Sequence, residues 1–94
     1  MTITHTLENG TLTISPQGRL DTLTAPDFEA AAKELMKEAD SAVIDLAGVD
    51  YISSAGLRAL LALHKTGDIQ VVHVAPAVMD VFSMTGFDKV LKIH

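Results

Sequence analysis

Apolar and polar residues alternate along the N-terminal part of the chain, which is the period-two pattern of strands with one buried face. The alternation is interrupted by Asn9-Gly10, a dipeptide that favours a two-residue hairpin turn. The pattern therefore predicts an antiparallel hairpin of residues 2–7 and 11–15. The apolar positions that carry this pattern are Ile3, Leu7, Leu12 and Ile14.

The next segment changes to helical spacing. Thr24 is a residue type that commonly caps helix N-termini, Asp27 follows it at capping-box spacing, and Pro26 falls in the first turn, where its missing N–H is tolerated. The spacing predicts a helix from this cap to about Ala39. The apolar positions that define its buried face are Phe28, Ala31, Ala32, Leu35, Met36 and Ala39.

Two short apolar runs, residues 41–46 and 69–74, predict buried strands. A leucine-rich stripe between them predicts a second helix that ends at Thr66-Gly67, with a loop leading into it from Leu46. Pro76 predicts the start of a third helix and Gly86 its end. The last apolar run, residues 89–93, indicates a final short strand. The stripe of the second helix consists of Leu57, Leu60, Leu61 and His64.

These elements follow the order β-β-α-β-α-β-α, with a final β indicated by the last run. Strands that alternate with helices are typical of right-handed βαβ units, in which the strands are parallel. The sequence therefore predicts an α/β fold in which residues 1–94 form a single domain, with a mixed sheet and helices packed on it.

Composition narrows the class of protein. The chain is 48% hydrophobic and 20% charged, which favours a folded domain over a disordered one. Its net charge is −5 and its basic residues are scattered, so a nucleic-acid partner is not expected. The absence of cysteine excludes disulfide and thiol chemistry. The apolar runs are shorter than the roughly 20 residues of a membrane span, so we expect a cytoplasmic protein without direct membrane insertion.

The sequence contains no motif for catalysis. The four histidines lack the short spacing of metal ligands, and the glycines are isolated rather than grouped in a phosphate-binding loop. No nucleophile elbow is present. We therefore expect a protein that is not an enzyme and has neither a metal nor a cofactor.

The adjacent residues Ser53 and Ser54 allow two interpretations. Serine is a leading N-cap residue, so local chemistry alone favours a helix cap. The other interpretation is that one of the two serines is a position at which the protein is modified.

A wider set of residues favours the second interpretation. The stretch Ile44–Leu61, with "YISSAGL" at its centre, resembles the STAS domain of bacterial anti-sigma factor antagonists and of the tails of anion transporters. The resemblance continues upstream through Gly18-Arg19-Leu20-Asp21 and downstream through residues 72–91, and so covers essentially the whole chain.

This resemblance implies an anti-sigma factor antagonist that regulates sigma-factor-dependent transcription. The chain would bind an anti-sigma factor that is also a serine kinase, and would release it once Ser54 is phosphorylated. A serine phosphatase would reset the switch. Ser53 stands where sporulation-type antagonists carry an acidic residue. The residues implied in partner binding are Asp21, Ser53, Ala55, Gly56, Leu57 and Arg58.

Two alternatives stay open within the same family. The chain could be a small STAS subunit of a phospholipid-transport ATPase, or a scaffold in a sensory assembly, in both cases without a phosphoswitch. Residues 63–69 form a shorter link between helix and strand than is usual in the family, and we expect the domain to lack the usual C-terminal helix.

Overall fold

The computed structural model describes all 94 residues. The chain forms five strands, three α-helices and a final 3₁₀ turn. In order, these are β1 (Thr2–Glu8), β2 (Thr11–Leu20), α1 (Ala25–Met36), β3 (Ser41–Asp45), β4 (Val49–Ile52), α2 (Ser54–Thr66), β5 (Ile69–Val72), α3 (Pro76–Thr85) and the 3₁₀ turn Phe87–Lys89.

The chain opens with the predicted hairpin. Asn9 and Gly10 have φ values of 52° and 82°, as a two-residue type I′ turn requires. β1 then pairs antiparallel with β2 over its whole length, from Glu8 opposite Thr11 to Thr2 opposite Gln17. The hairpin prediction is confirmed.

The five strands form one mixed sheet. The strand order is β1-β2-β3-β5, and β4 pairs with β2 away from this path. Except for β1, neighbouring strands are parallel. β2 has three partners: it pairs with β1 along most of its length, with β3 over its first half, and with β4 at its end, after an irregularity between Gly18 and Arg19. The predicted mixed sheet is confirmed.

One face of the sheet forms the core with the helices. Buried side chains lie next to one another across β2, β3 and β5, and pack in one cluster with apolar residues of all three helices. Phe28 of α1, Leu60 of α2 and Phe82 of α3 are fully buried in this cluster. No polar or charged residue is buried. The central sheet residues are Leu12, Ile14, Ala42, Ile44, Ile69 and Val71.

Three expectations about the elements were wrong. Residues 49–52 form the strand β4 rather than a loop. α1 ends at Met36, because the next amides bond to carbonyls three residues back and tighten the backbone into a turn. The predicted final strand is a 3₁₀ turn over Phe87–Lys89, followed by a single parallel bridge from Ile93 to Val71.

The strand predicted for residues 69–74 is also shorter, since β5 ends at Val72. The next residue, His73, has a φ of 57°, which takes the backbone out of the extended conformation. None of the helices has the length and apolar character needed to cross a membrane.

Candidate functional site

The candidate site lies where β2 and β4 end side by side. The two strands are parallel, and Leu20 at the end of β2 is paired with Ile52 at the end of β4. The chain leaves β2 towards α1 and leaves β4 towards α2, so the N-termini of both helices lie at this edge. Loops at the carboxyl ends of parallel strands commonly carry the functional residues of α/β proteins.

Ser53 is the N-cap of α2. Its backbone is extended, and its Oγ accepts a hydrogen bond from the Gly56 N–H at 3.4 Å. Its own N–H donates to the carbonyl oxygen of Leu20 at 3.0 Å. The capping role predicted for one of the two serines therefore belongs to Ser53.

Ser54 is the first residue of α2, and its side chain is exposed. With capping assigned to Ser53, the Ser54 hydroxyl has no hydrogen-bond partner within the chain. The hydroxyl is thus available to solvent at the positive end of a helix dipole, where first-turn amides favour an added anion.

Gly56 allows α2 to start close to β2. A Cβ atom at this position would lie 2.6 Å from the carbonyl oxygen of Leu20 and 2.7 Å from Cγ1 of Ile52. Both distances are shorter than van der Waals contact, so a larger residue would move the helix away from the strands. Gly56 is buried and Leu57 is 5% exposed. These two residues position the surface rather than offer side chains to a partner.

Asp21 organises the turn between β2 and α1. Its Oδ1 accepts hydrogen bonds from the N–H groups of Leu23 at 3.0 Å and Thr24 at 3.1 Å. Thr24 is the N-cap by position, but its side chain makes no capping hydrogen bond. Its hydroxyl instead donates to the Arg19 carbonyl at 2.7 Å and accepts from the Asp21 N–H at 2.9 Å. The predicted capping box of Thr24 and Asp27 is therefore wrong, because the Thr24 N–H donates its hydrogen bond to Asp21 rather than to Asp27.

The same contacts set the charge of Asp21. The hydrogen bond from the Thr24 N–H, followed by the one from the Leu23 N–H, lowers the pKa of this carboxyl below its usual value, although partial desolvation opposes the effect. The Thr24 hydroxyl and the Arg19 side chain lower the pKa further. Asp21 is therefore a fixed negative charge beside the N-termini of both helices.

Arg19 joins this turn to β4. It is the register partner of Tyr51, and its guanidinium carbon lies 4.1 Å from the centre of the Tyr51 ring. Its Nε is 3.5 Å from Oδ2 of Asp21. The Arg19 side chain is 62% exposed, and the residue Tyr51 is 42% exposed. The site therefore has a stacked cation–aromatic pair at its rim.

A shallow groove lies between the first three turns of α1 and the first two turns of α2. Small side chains make up part of its lining, and Arg58 lies on the α2 side. Glu29 and Lys33, which also line the groove, form an ion pair with each other at 2.9 Å. Arg58 has no carboxylate within 4.0 Å. The exposed Arg58 guanidinium is thus available to an anionic group. The small residues of the lining are Ala25, Pro26, Ala30 and Ala55.

The structure brings most of the predicted site residues to one edge. Ser54 and Arg58 are exposed on α2, Ala55 is half-buried in the groove, and Asp21 is on the adjoining turn. Leu23, which the sequence pattern did not single out, is 86% exposed in the turn that Asp21 holds. An apolar residue inside a turn stretch was the available signal.

No cluster of three or more histidine, aspartate or glutamate side chains with metal-binding geometry exists in the structure. His73 Nδ1 and Asp45 Oδ1 form a pair at 3.2 Å. Asp45 also accepts a hydrogen bond from the Ala47 N–H, so this contact fixes the loop after β3.

Known proteins resemble this chain over nearly its full length. Residues 1–92 match the family model described as "Mlab, STAS domain". The chain is 34% identical over 93 residues to BtrV of Bordetella bronchiseptica, which carries the name of an anti-sigma factor antagonist. That alignment covers 93% of this chain and 80% of BtrV.

Solved structures agree with this match. The crystal structure of an anti-sigma factor antagonist from Mycobacterium paratuberculosis superposes with a TM-score of 0.89 at 28% identity, covering 99% of this chain and 84% of the other. Unphosphorylated SpoIIAA gives a TM-score of 0.82 at 15% identity, with coverages of 99% and 88%. The phosphorylated form of SpoIIAA, a Bacillus cell fate determinant, gives 0.71 at 14% identity, with coverages of 99% and 91%. At these identities the SpoIIAA comparisons establish the fold alone.

Proposed function

The chain belongs to the STAS domain family, with relatives that are anti-sigma factor antagonists, and we propose that it is a partner-switching antagonist controlled at Ser54. Without phosphate, it binds an anti-sigma factor that is also a serine kinase, and so frees the sigma factor. Phosphorylation of Ser54 by this partner releases the complex. A serine phosphatase restores the binding form.

The geometry of the serine pair is the observation that carries this proposal. Ser53 has its hydroxyl engaged in the cap, whereas Ser54 is exposed with an unengaged hydroxyl at the first position of α2. A kinase can therefore reach Ser54 without unfolding the helix. The existence of SpoIIAA in both unphosphorylated and phosphorylated forms supports a switch of this type on the same fold.

A phosphate on Ser54 would be compatible with the fold. The first-turn amides of α2 and the helix dipole stabilise an anion there by about 0.3–1 kcal/mol. Arg58 lies four residues further along the helix, a spacing that brings side chains together on one face. The unpaired Arg58 guanidinium can therefore contact the phosphate.

The same phosphate would change the binding surface strongly. It adds a charge of roughly −1.5 to −2 at pH 7 to a chain of net charge −5. It also stands at the edge that carries the ionised Asp21. Like-charge juxtaposition in an interface costs several kcal/mol, and each 1.4 kcal/mol is about a tenfold change in affinity. Release therefore needs no long-range conformational change.

Matched serine variants test the proposal directly. The wild-type chain, Ser53→Ala and Ser54→Ala are incubated with ATP and the anti-sigma factor kinase encoded in the source genome, and intact masses are recorded. We expect one added phosphate on the wild type and on Ser53→Ala, and none on Ser54→Ala. A phosphate that persists on Ser54→Ala would refute the assignment of the site.

Affinity capture from a lysate of the source organism tests the switch itself. Baits carrying wild type, Ser54→Ala and Ser54→Asp are compared by mass spectrometry. We expect a kinase-type anti-sigma factor to be retained by the first two baits and lost with Ser54→Asp. Equal retention of a transporter ATPase by all three baits would favour the phospholipid-transport alternative and overturn the phosphoswitch.

A further inference from the structure

The two edges of the sheet differ in whether another segment of the chain covers them. At the β5 edge, Val71 donates to the Lys92 carbonyl and accepts from the His94 N–H, both at 2.8 Å, so the last residues cover this edge. At the other edge, β1 pairs only with β2, and every residue of β1 except the half-buried Ile3 is exposed. The outer side of β1 is therefore an open row of backbone donors and acceptors.

The hairpin turn determines which β1 groups form this row. In a two-residue hairpin the flanking residues, here Glu8 and Thr11, form a hydrogen-bonded pair, and such pairs alternate along the ladder. Ile3 opposite Pro16 is a non-bonded pair in this alternation, which agrees with the missing N–H of proline. The β1 residues whose N–H and C=O groups point outwards are therefore Ile3, His5 and Leu7.

β1 lacks the features that usually protect an exposed edge. Its sequence, TITHTLE, contains no lysine, no proline and no bulge, and its only charged residue is Glu8 at one end. Natural edge strands commonly use such features to prevent pairing with another chain. Leu7, in addition, leaves 47% of its surface exposed.

The order of residues in β1 is self-complementary about His5. If a second β1 is placed antiparallel with its His5 opposite the first, Ile3 faces Leu7 of the other copy and Thr4 faces Thr6. The outward N–H and C=O groups of the two copies then face each other, because Ile3, His5 and Leu7 form the hydrogen-bonded pairs of the new ladder. Apolar residues face apolar residues, threonines face threonines, and Glu8 faces Thr2 rather than a like charge.

We propose that β1 binds β1 of a second copy of this chain, antiparallel and centred on His5, to form a continuous sheet across a two-fold axis. The site around Ser54 lies at the ends of β2 and β4, away from the new ladder, so both copies keep it accessible. The contact is small, so we expect weak dimerisation, with a dissociation constant of about 10 to 1000 µM.

A single proline tests the ladder without disturbing the hairpin. The His5 N–H points outwards, so His5→Pro removes the central donor of both copies and leaves the hydrogen bonds from β1 to β2 in place. His5→Ala is the control, since it keeps the N–H. By sedimentation equilibrium, we expect wild type and His5→Ala to approach twice the 10.0 kDa chain mass with rising concentration, and His5→Pro to stay monomeric. A wild type that stays monomeric, or a folded His5→Pro that still dimerises, would overturn the proposal.

Cross-linking provides a second test in case His5→Pro does not fold. The chain has no cysteine, so an introduced thiol can pair only with its copy. In the proposed register the two His5 Cα atoms lie about 5.5 Å apart, within disulfide range. The Cα atoms of the two Glu8 residues are about 20 Å apart along the strand direction. We expect His5→Cys to form a disulfide-linked dimer on mild oxidation and Glu8→Cys not to do so. Equal cross-linking of both variants, or of neither, would contradict this register.

Discussion

The carbonyl oxygen of Leu20 accepts a hydrogen bond from the N–H of Ser53 at 3.0 Å. The same oxygen is the atom closest to the position where Gly56 would carry a side chain. One carbonyl group at the end of β2 thus fixes both the cap of α2 and the distance at which its first turn packs. The position of Ser54 depends on this contact.

Gly56→Ala is therefore expected to lower the free energy of unfolding by about 1–2 kcal/mol. The new methyl group would overlap Leu20 and Ile52, and overpacking of this kind outweighs the gain of alanine in helix propensity. Gly67→Ala is the control, because its methyl group would meet only the flexible end of Met36 at 3.1 Å. Urea unfolding of both variants checks this. Equal stability of the two would contradict the close approach.

Substitutions of the two adjacent serines are expected to have different effects, on stability at Ser53 and on the phosphoswitch at Ser54. Ser53→Ala removes the cap of α2 and should cost about 0.5–1 kcal/mol of unfolding free energy, because its bond to the Gly56 N–H is long. Ser54→Ala should change stability by less than about 0.5 kcal/mol, yet abolish the phosphoswitch. Thermal unfolding, read together with the phosphorylation assay, checks the pair. A larger stability loss for Ser54→Ala than for Ser53→Ala would reverse the assignment.

Stability should depend on the charge of Asp21 in acid. Its pKa is lower in the folded chain than its ordinary value of 3.8, so its hydrogen bonds stabilise the fold above that value. This stabilisation is lost as the pH falls through the folded pKa. We expect Asp21→Asn to unfold at a lower Tm than wild type at pH 7, with the difference shrinking below about pH 4. A Tm difference that stays constant from pH 7 to acid would exclude this role.

Leu23 is expected to be an apolar anchor for the partner proposed above. Its backbone is held by Asp21, so little backbone entropy is lost when it binds. The residue is 86% exposed at the Ser54 edge and is therefore accessible to a partner. Leu23→Ala should weaken binding about tenfold or more, as buried anchors do. Met84 at the end of α3 is also 86% exposed, and Met84→Ala serves as the control. Calorimetry with the captured partner decides, and equal affinities for the two variants would count against Leu23.

The elements that could be predicted from the sequence are those with regular periodicity. The hairpin and the helices follow from alternation, helical spacing and turn residues. β4 could not be predicted in this way, because its buried residues, Val49 and Ile52, are three positions apart, which fits neither strand alternation nor a long helix. The chain end was predicted as a strand from an apolar run, but Gly86, with a φ of 80°, leads into a 3₁₀ turn.

Part of the candidate site could also be predicted from the sequence, and part could not. The resemblance pointed to Ser54, Asp21 and Arg58, and the structure places them at one edge. The stacking of Arg19 on Tyr51 depends on the register of β2 against β4, two strands far apart in sequence. The capping-box prediction was wrong because the Thr24 N–H donates its hydrogen bond to Asp21, which lies outside the helix. Such contacts depend on tertiary pairing, which the local pattern does not encode.

The pairing of β2 with different strands along its length has a consequence for amide hydrogen exchange. The first half of β2 is held on both sides, by β1 and by β3, whereas its end is held by β4 and by the bond from the Gly18 N–H to the Gly48 carbonyl. The edge that carries Ser54 can therefore open while the centre of the sheet stays closed. The amides of Leu12 and Ile14 should exchange only when the whole domain unfolds, and those of Gly18 and Ser53 through a smaller, faster opening.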